Sequence, residues 1–166
     1  MRRIKVINEP TELVPMLRAL DTTVKRQVFQ EVTNDWNTAE QIEEKYGEEG
    51  KDALLFFEKM KLVETMWQSR EDNTQEKAYH TYYISFYINT SAPVTEISDI
   101  LAAAVMDDKE FNKLETKIFK LVGEDGMFIG DISEQEDLSS TFLKALVKRS
   151  TKLEYRGHRI EKSKDD

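Results

Sequence analysis

The sequence predicts an α+β fold that is mainly helical, and it predicts that one arrangement of elements occurs twice. Apolar residues recur at helical spacing over residues 11–60 and then at strand spacing over residues 62–89. A similar order returns 90 positions later, where Val28-Phe29 is matched by Ile118-Phe119 and Ile42 by Ile132. The 166 residues are 39% hydrophobic, which suffices for one domain of ordinary size or two very small ones.

Two helices are expected at the start of the chain. The first is a short leading helix from about Asn8, with Asn8 or Thr11 as its cap and an apolar face that includes Leu13 and Leu20. The second is expected to follow Asp21 as its N-cap and to end between residues 34 and 37. Its apolar face consists of Val24, Val28, Phe29, Val32 and Trp36.

A third helix is expected to begin at Thr38, because Gln41 stands three positions later, as in a capping box. Gly47 should end it, and a further helix is expected over residues 49–60. A strand over 62–68, a polar loop over 70–76 and a second strand over 79–89 follow. Without the leading helix, three short helices and a hairpin remain, which is the element order of a winged helix-turn-helix.

The second half of the chain is expected to repeat this order with a shorter hairpin. Residues 89–93 form a linker, helices follow from Thr95 or Ser98 and over 108–122, and an apolar stripe on a later helix includes Phe142 and Leu146. Residues 153–155 and 158–160 flank a tight turn at Arg156-Gly157. The expected organisation is a first winged helix over 1–90, a helical linker over 91–111 and a second, shorter winged helix over 112–166.

Composition excludes several classes of function. There is no cysteine, so disulfides and thiolate metal sites are excluded. No apolar run reaches the roughly 18 residues of a membrane span, and the basic start has no apolar stretch behind it. A cytoplasmic protein is therefore expected. With two histidines and no phosphate loop, nucleophile elbow or paired-histidine motif, we expect no enzyme activity, cofactor or metal.

Charge is distributed unevenly along the chain. The net charge is −8, yet residues 1–26 carry +3, residues 27–138 carry −15 and residues 139–164 carry +6. A basic end behind an acidic middle suits nucleic-acid contact. The alternative is a solvated basic face that pairs with the acidic middle of the same chain.

Residues 8–90 resemble the ArsR-type winged-helix regulators, and most closely the predicted ArsR-like regulators of archaea. The resemblance rests on residues 13–21, 24–29, 38–42, 54–57 and 61–64. It implies DNA binding, a dimer and a helix that lies in the major groove. Two features depart from the family: cysteine-type metal sensing is impossible here, and the groove-facing positions of the first unit hold Lys51, Asp52 and Leu55. Asp52 repels phosphate, and Leu55 offers nothing to a base edge.

The candidate DNA contacts lie on the helices and hairpins of both halves. Hydroxyls and cations spaced along a C-terminal helix suit phosphate contact, and hairpin cations suit the minor groove or backbone. For the first hairpin the alternative is a plain polar loop tip. The candidates are Lys51, Arg70, Lys77, Ser140, Thr141, Lys144, Lys148, Arg149, Lys152, Arg156 and Arg159, with an N-terminal arm of Arg2, Arg3 and Lys5.

Two functions remain open from the sequence. The first is a DNA-binding transcriptional regulator, with a possible homodimer through helices at Leu13–Leu20 and Thr95–Val122. The second is a winged-helix protein-interaction module that uses the acidic middle and apolar Leu55 and Phe56 to bind a basic partner without contacting DNA. Tyr79 to Tyr83 could form an aromatic platform for bases, although strand propensity and core packing also explain these residues.

Overall fold

A computed structural model describes residues 3–164. Its internal contacts divide the described chain into two compact units, residues 3–6 with 19–88 and residues 7–18 with 89–164. The elements in chain order are β1 (Ile4–Ile7), a short 3-10 helix (Pro10–Glu12), α1 (Leu13–Ala19), α2 (Thr23–Asn34), β2 (Asn37–Thr38), α3 (Ala39–Lys59), β3 (Val63–Ser69), β4 (Gln75–Thr81), β5 (Ser85–Ile88), α4 (Val94–Val105), α5 (Asp108–Val122), β6 (Met127–Phe128), α6 (Ile129–Glu136), α7 (Ser140–Arg149), β7 (Leu153–Arg156) and β8 (Arg159–Lys162). The predicted class, α+β and mainly helical, is confirmed.

In the first unit, α2 and α3 begin at side-chain caps. Thr22 caps α2, because its hydroxyl accepts from the Lys25 backbone N–H at 3.1 Å. The expected cap Asp21 is wrong by one residue, and its carboxylate pairs with the Lys25 ammonium at 2.9 Å instead. The capping box of α3 is confirmed, since Thr38 and Gln41 bond to each other's backbone N–H groups at 3.2 and 2.9 Å.

A glycine breaks α3 into two helical pieces where the sequence predicts. Gly47 has φ 69° and ψ −164°, a conformation outside the helical region that residues with a Cβ rarely adopt. The piece after Gly47 carries Ala53, Leu54 and Phe57 into a core that they share with residues of α2, β3 and β4.

Three antiparallel strands close this core in the order β2-β4-β3, with Val63 opposite Thr81 and Ser69 opposite Gln75. The single strand expected over 79–89 is wrong. The ladder ends where the Tyr82 N–H donates to the Leu62 carbonyl, and β5 then pairs with β1, which sequence analysis missed. The side chain of Thr81 bonds to the Tyr83 carbonyl at 3.0 Å and stabilises the bend between the two strands.

The second unit contains α5, β6, α6, α7, β7 and β8 in the element order of α2 to β4. Its sheet order is β6-β8-β7, the counterpart of β2-β4-β3. Gly157 and His158 both have positive φ, 56° and 66°, and form a tight two-residue turn. The turn expected at Arg156-Gly157 is thus wrong by one residue, because Arg156 pairs with Arg159 at the end of the ladder. Ile118, Ile132, Leu143, Leu146 and Ile160 are fully buried in its core.

A second cluster in this unit packs α1 and α4 against α7. Val14 of α1 joins Ile100, Ala103 and Ala104 of α4 and Ala145 of α7. The alanines permit close approach of the helices. Through these contacts the leading helix belongs to the second unit. Within residues 3–164, no helix is long and apolar enough to cross a bilayer.

Candidate nucleic-acid interface

The helix α7 presents one apolar and one polar face. Leu143, Leu146 and Val147 are buried in the core. The helix begins after Ser139, whose hydroxyl accepts from the Phe142 N–H at 3.0 Å and donates to the Asp99 carboxylate at 2.7 Å. The N-terminus of α7 is thus fixed by two hydrogen bonds, which orients its polar face.

The polar face of α7 carries four of the predicted contacts. Ser140 is exposed, and Thr141, Lys144 and Lys148 are half-buried. The spacing of four residues places Lys144 and Lys148 on one side of the helix. Among residues 3–164, neither ammonium forms an ion pair with a carboxylate. We call Ser140, Thr141, Lys144 and Lys148 the α7 polar face.

The short hairpin continues this surface. The Lys144 ammonium lies 5.0 Å from the centroid of the Tyr155 ring, and the Tyr155 hydroxyl lies 3.1 Å from Nδ1 of His158. Arg156, at the end of β7, is exposed with a long 3.5 Å contact to Glu154. Tyr155 was missed by sequence analysis, although its place between the basic residues 152 and 156 could have indicated it.

Arg159 and Lys152 have partners within the chain. Arg159 donates to the carbonyl oxygens of Asp125 at 3.3 Å and Gly126 at 3.1 Å, so its guanidinium supports the loop before β6. The Lys152 ammonium is exposed and lies 3.7 Å from the buried carboxylate of Glu115.

Arg149 occupies a different environment from its neighbours. Its side chain is 3% exposed. The guanidinium donates to the carbonyl oxygens of Ala103 at 3.0 Å and Met106 at 2.6 Å and to the Asp108 carboxylate at 2.8 Å, and it lies 4.3 Å from the Phe111 ring centroid. Arg149 therefore joins the end of α7 to the end of α4 and the start of α5.

The three candidate DNA contacts of the first unit are held by its own carboxylates. Lys51 pairs with Glu43 at 3.2 Å, and Lys77 pairs with Glu58. Arg70, at the end of β3, bonds to Glu76 at 2.8 Å and also to Glu40. The Arg70 hydrogen bond lowers the pKa of the Glu76 carboxyl, and the pKa of the Arg70 guanidinium is raised in turn.

The N-terminal arm is bound to the first unit. Arg3 bonds to Glu64 at 2.8 Å, and its guanidinium lies 4.2 Å from the Tyr82 ring centroid. The Lys5 ammonium lies 5.2 Å from the Tyr83 ring. Arg2 lies outside the described residues.

The remaining residues singled out from the sequence lie either on the surface or in the core. Leu55 is 45% exposed on α3 beside exposed Asp52, whereas Phe56 packs partly against the core. Tyr79 is buried, and burial with the nearby Glu58 carboxylate raises the pKa of its hydroxyl to about 12. Tyr79 thus belongs to the core rather than to an aromatic platform. No cluster of three or more potential metal ligands occurs within residues 3–164.

Comparison with known proteins identifies the family. No curated protein matches the chain. The family model for the ArsR transcriptional regulator matches residues 7–164, which covers nearly all of both units. The expected ArsR-like regulator is confirmed, and the archaeal type stays a prediction. The family consists of transcriptional regulators of the DNA-binding kind and is not an enzyme family. With a match that runs through both helix–hairpin units and the helices between them, the chain belongs to the ArsR transcriptional regulator family.

Proposed function

We propose that this regulator is built from two winged helices in tandem and that it binds double-stranded DNA through the second one. The observation that carries the proposal is the pair of ammonium groups on α7, Lys144 and Lys148, which no carboxylate neutralises among the described residues. A helix of this kind in a helix–strand–helix–helix–hairpin unit is the element that enters the major groove in winged helices.

The polar face of α7 has the chemistry that a phosphate backbone requires. Ser140 and Thr141 lie in its first turn, where backbone N–H groups and the helix dipole attract anions. Lys144 and Lys148 follow along the same side and would displace counterions from the duplex. Arg156 on the hairpin extends the positive surface toward the adjacent backbone or minor groove. Arg149 is excluded from this surface because it is buried.

The first unit is a poor primary contact with DNA. Lys51, Arg70 and Lys77 each pair with a carboxylate of the same unit. If these cations turned to phosphate, their carboxylate partners would be left facing the duplex. The repulsion between carboxylate and phosphate would then cancel the binding energy gained. We propose that the first unit positions the second on DNA, or binds another partner, rather than reading bases.

A homodimer is part of this proposal. The helix α4 is apolar on two sides: Ile100 and Ala103 are buried, whereas Val94, Leu101 and Val105 are exposed on the opposite side. An uncharged stripe of this length can pack on its own copy about a twofold axis. Two copies of α7 would then contact two half-sites of a palindromic operator.

The test is fluorescence anisotropy of labelled duplexes. One set comes from upstream of the protein's own gene and one duplex is unrelated, each titrated at low and at physiological salt. We expect affinity that falls steeply with salt and survives better on some upstream duplexes. Lys148→Ala should lower affinity about tenfold and reduce the salt slope by about one for each copy bound to the duplex.

The matched control is Lys51→Ala, because Lys51 is the predicted contact on α3 of the first unit and its ammonium pairs with Glu43. It should change affinity less than about twofold. Absence of binding at low salt, or equal losses from both variants, would contradict the proposal.

A second candidate function rests on Leu55. Its exposed side chain lies on α3 beside the exposed Asp52, within the stretch 27–138 whose net charge is −15. Such a surface suits a basic protein partner. If DNA does not bind, pull-down with Leu55→Asp as the disabled variant tests this function, because the substitution lies outside the core.

A further inference from the structure

The strand β3 forms an open edge of the first unit's sheet. The strand order β2-β4-β3 gives β3 one neighbour only. Met66 is 40% exposed and Trp67 is 65% exposed, an unusual amount for a tryptophan. From Thr65 to Ser69 the strand contains neither a charged residue nor a proline. Natural proteins usually protect an open edge with residues of these kinds.

The ladder with β4 determines which backbone groups of β3 remain available. The Leu62 carbonyl accepts from Tyr82, and the Arg70 N–H donates to the Thr74 carbonyl. Even-numbered residues of β3 therefore direct their backbone groups toward β4. The odd-numbered residues Thr65, Trp67 and Ser69 direct theirs to the open side, where no backbone partner exists among the described residues.

We infer that the edge of β3 pairs with β3 of a second copy of this chain, in antiparallel register centred on Met66. In this register Trp67 lies opposite Thr65 of the second copy, an aromatic and β-branched pair that stabilises strands. Glu64 lies opposite Gln68 of the second copy, so no like charges meet. Thr65 and Trp67 exchange both of their free backbone hydrogen bonds.

The sequence of β3 favours a second copy over other occupants. A strand pairs with itself without penalty only if no charge on it meets its own equivalent, and Glu64 is the one charged residue within β3. DNA is disfavoured because the edge has no cation and Arg70, next to it, is held by Glu40 and Glu76. The pairing would join two three-stranded sheets edge to edge, through a surface of the first unit that DNA binding by the second does not use. It would be a second twofold contact, separate from the α4 packing on which the two operator half-sites depend.

Disulfide trapping tests this register, because the chain contains no cysteine of its own. Met66→Cys places one thiol at the twofold axis, in a non-hydrogen-bonded pair with Cα atoms about 4.5 Å apart, within the range for a disulfide. The matched control is Gln68→Cys, on the same face two residues along. Its two copies would be separated by four residues of strand, roughly 13 Å. Both variants are oxidised mildly and compared on a non-reducing gel.

We expect cross-linked dimer to form at least about tenfold faster for Met66→Cys than for Gln68→Cys. We also expect Trp67→Lys, on the background of Met66→Cys, to reduce the cross-link about tenfold, because it removes the aromatic pair and adds edge charge. Equal cross-linking of the two cysteine variants overturns the inference. So does a cross-link that Trp67→Lys leaves unchanged. Neither readout involves DNA, so failure here and failure of DNA binding are distinguishable.

Discussion

The two units share an element order and differ in how they use charge. In the first unit, Lys51 and Lys77 are each neutralised by a carboxylate on the same unit. In the second, Lys144 and Lys148 occupy the exposed side of the corresponding helix with no carboxylate partner among the described residues. The shared element order therefore supports two different surfaces, and the difference in their charge arises from the side chains. Family membership does not by itself indicate which unit contacts DNA.

The largest expected effect is a loss of stability at Arg149, the buried cation among the predicted contacts on α7. Arg149→Met should destabilise the protein by about 3 kcal/mol, because the carbonyls of Ala103 and Met106 lose their donor and Asp108 loses a partner. Urea unfolding followed by circular dichroism measures the loss. The control is Lys148→Met, one residue earlier and half-exposed, which should cost less than about 0.5 kcal/mol. Equal losses in the free energy of unfolding would contradict the assignment of Arg149 as a buried cation and Lys148 as a half-exposed one.

A smaller loss of stability is expected at the helix caps, which differ between the two units. Thr38→Ala should cost about 1 kcal/mol, since the Thr38 hydroxyl and the Gln41 side chain close a capping box at α3. The equivalent position before α6 is Phe128, which makes no side-chain cap bond. Phe128→Ala should therefore show no capping loss, and thermal unfolding compares the two. A larger loss of stability for Phe128→Ala than for Thr38→Ala would contradict this prediction.

The smallest effect is a pH dependence in the first unit. The Tyr46 hydroxyl, at 2.8 Å, and then Lys45 lower the pKa of the Glu31 carboxyl below its ordinary value of 4.5. A lowered folded pKa means that this contribution is present above pH 4.5 and is lost as pH falls through the folded pKa. Glu31→Gln should cost less than about 1 kcal/mol at neutral pH.

The difference between wild type and Glu31→Gln should vanish as the pH falls well below 4.5. Urea unfolding at a series of pH values measures it. A difference that persists unchanged in acid would show that the Glu31 side chain acts through packing rather than through its charge.

Sequence analysis located most helices because helical spacing and capping depend on residues three or four apart. The Thr38–Gln41 box and the break at Gly47 are of this kind. The strand β1 was missed because four residues paired with β5, about eighty positions later, leave no local pattern. The same limit applies to the bend that separates β4 from β5.

The candidate site was predicted in part. Lys144 and Lys148 were found from their spacing opposite Leu143 and Leu146. Arg149 was grouped with them, but one further residue rotates a helix by about 100°, which turns its side chain into the protein. There it meets Met106 and Asp108, some forty residues earlier, which no local pattern indicates.

By itself the sequence determined the fold class, the order of most helices and of the two hairpins, the lack of cysteine chemistry and the concentration of positive charge at the C-terminal end. Only the tertiary structure decided which of those charges are available. Lys77 and Glu58 lie 19 residues apart, and Arg70 and Glu40 lie 30 apart. Ion pairing depends on distance in space, so the count of charges along a chain does not fix the charge of its surfaces.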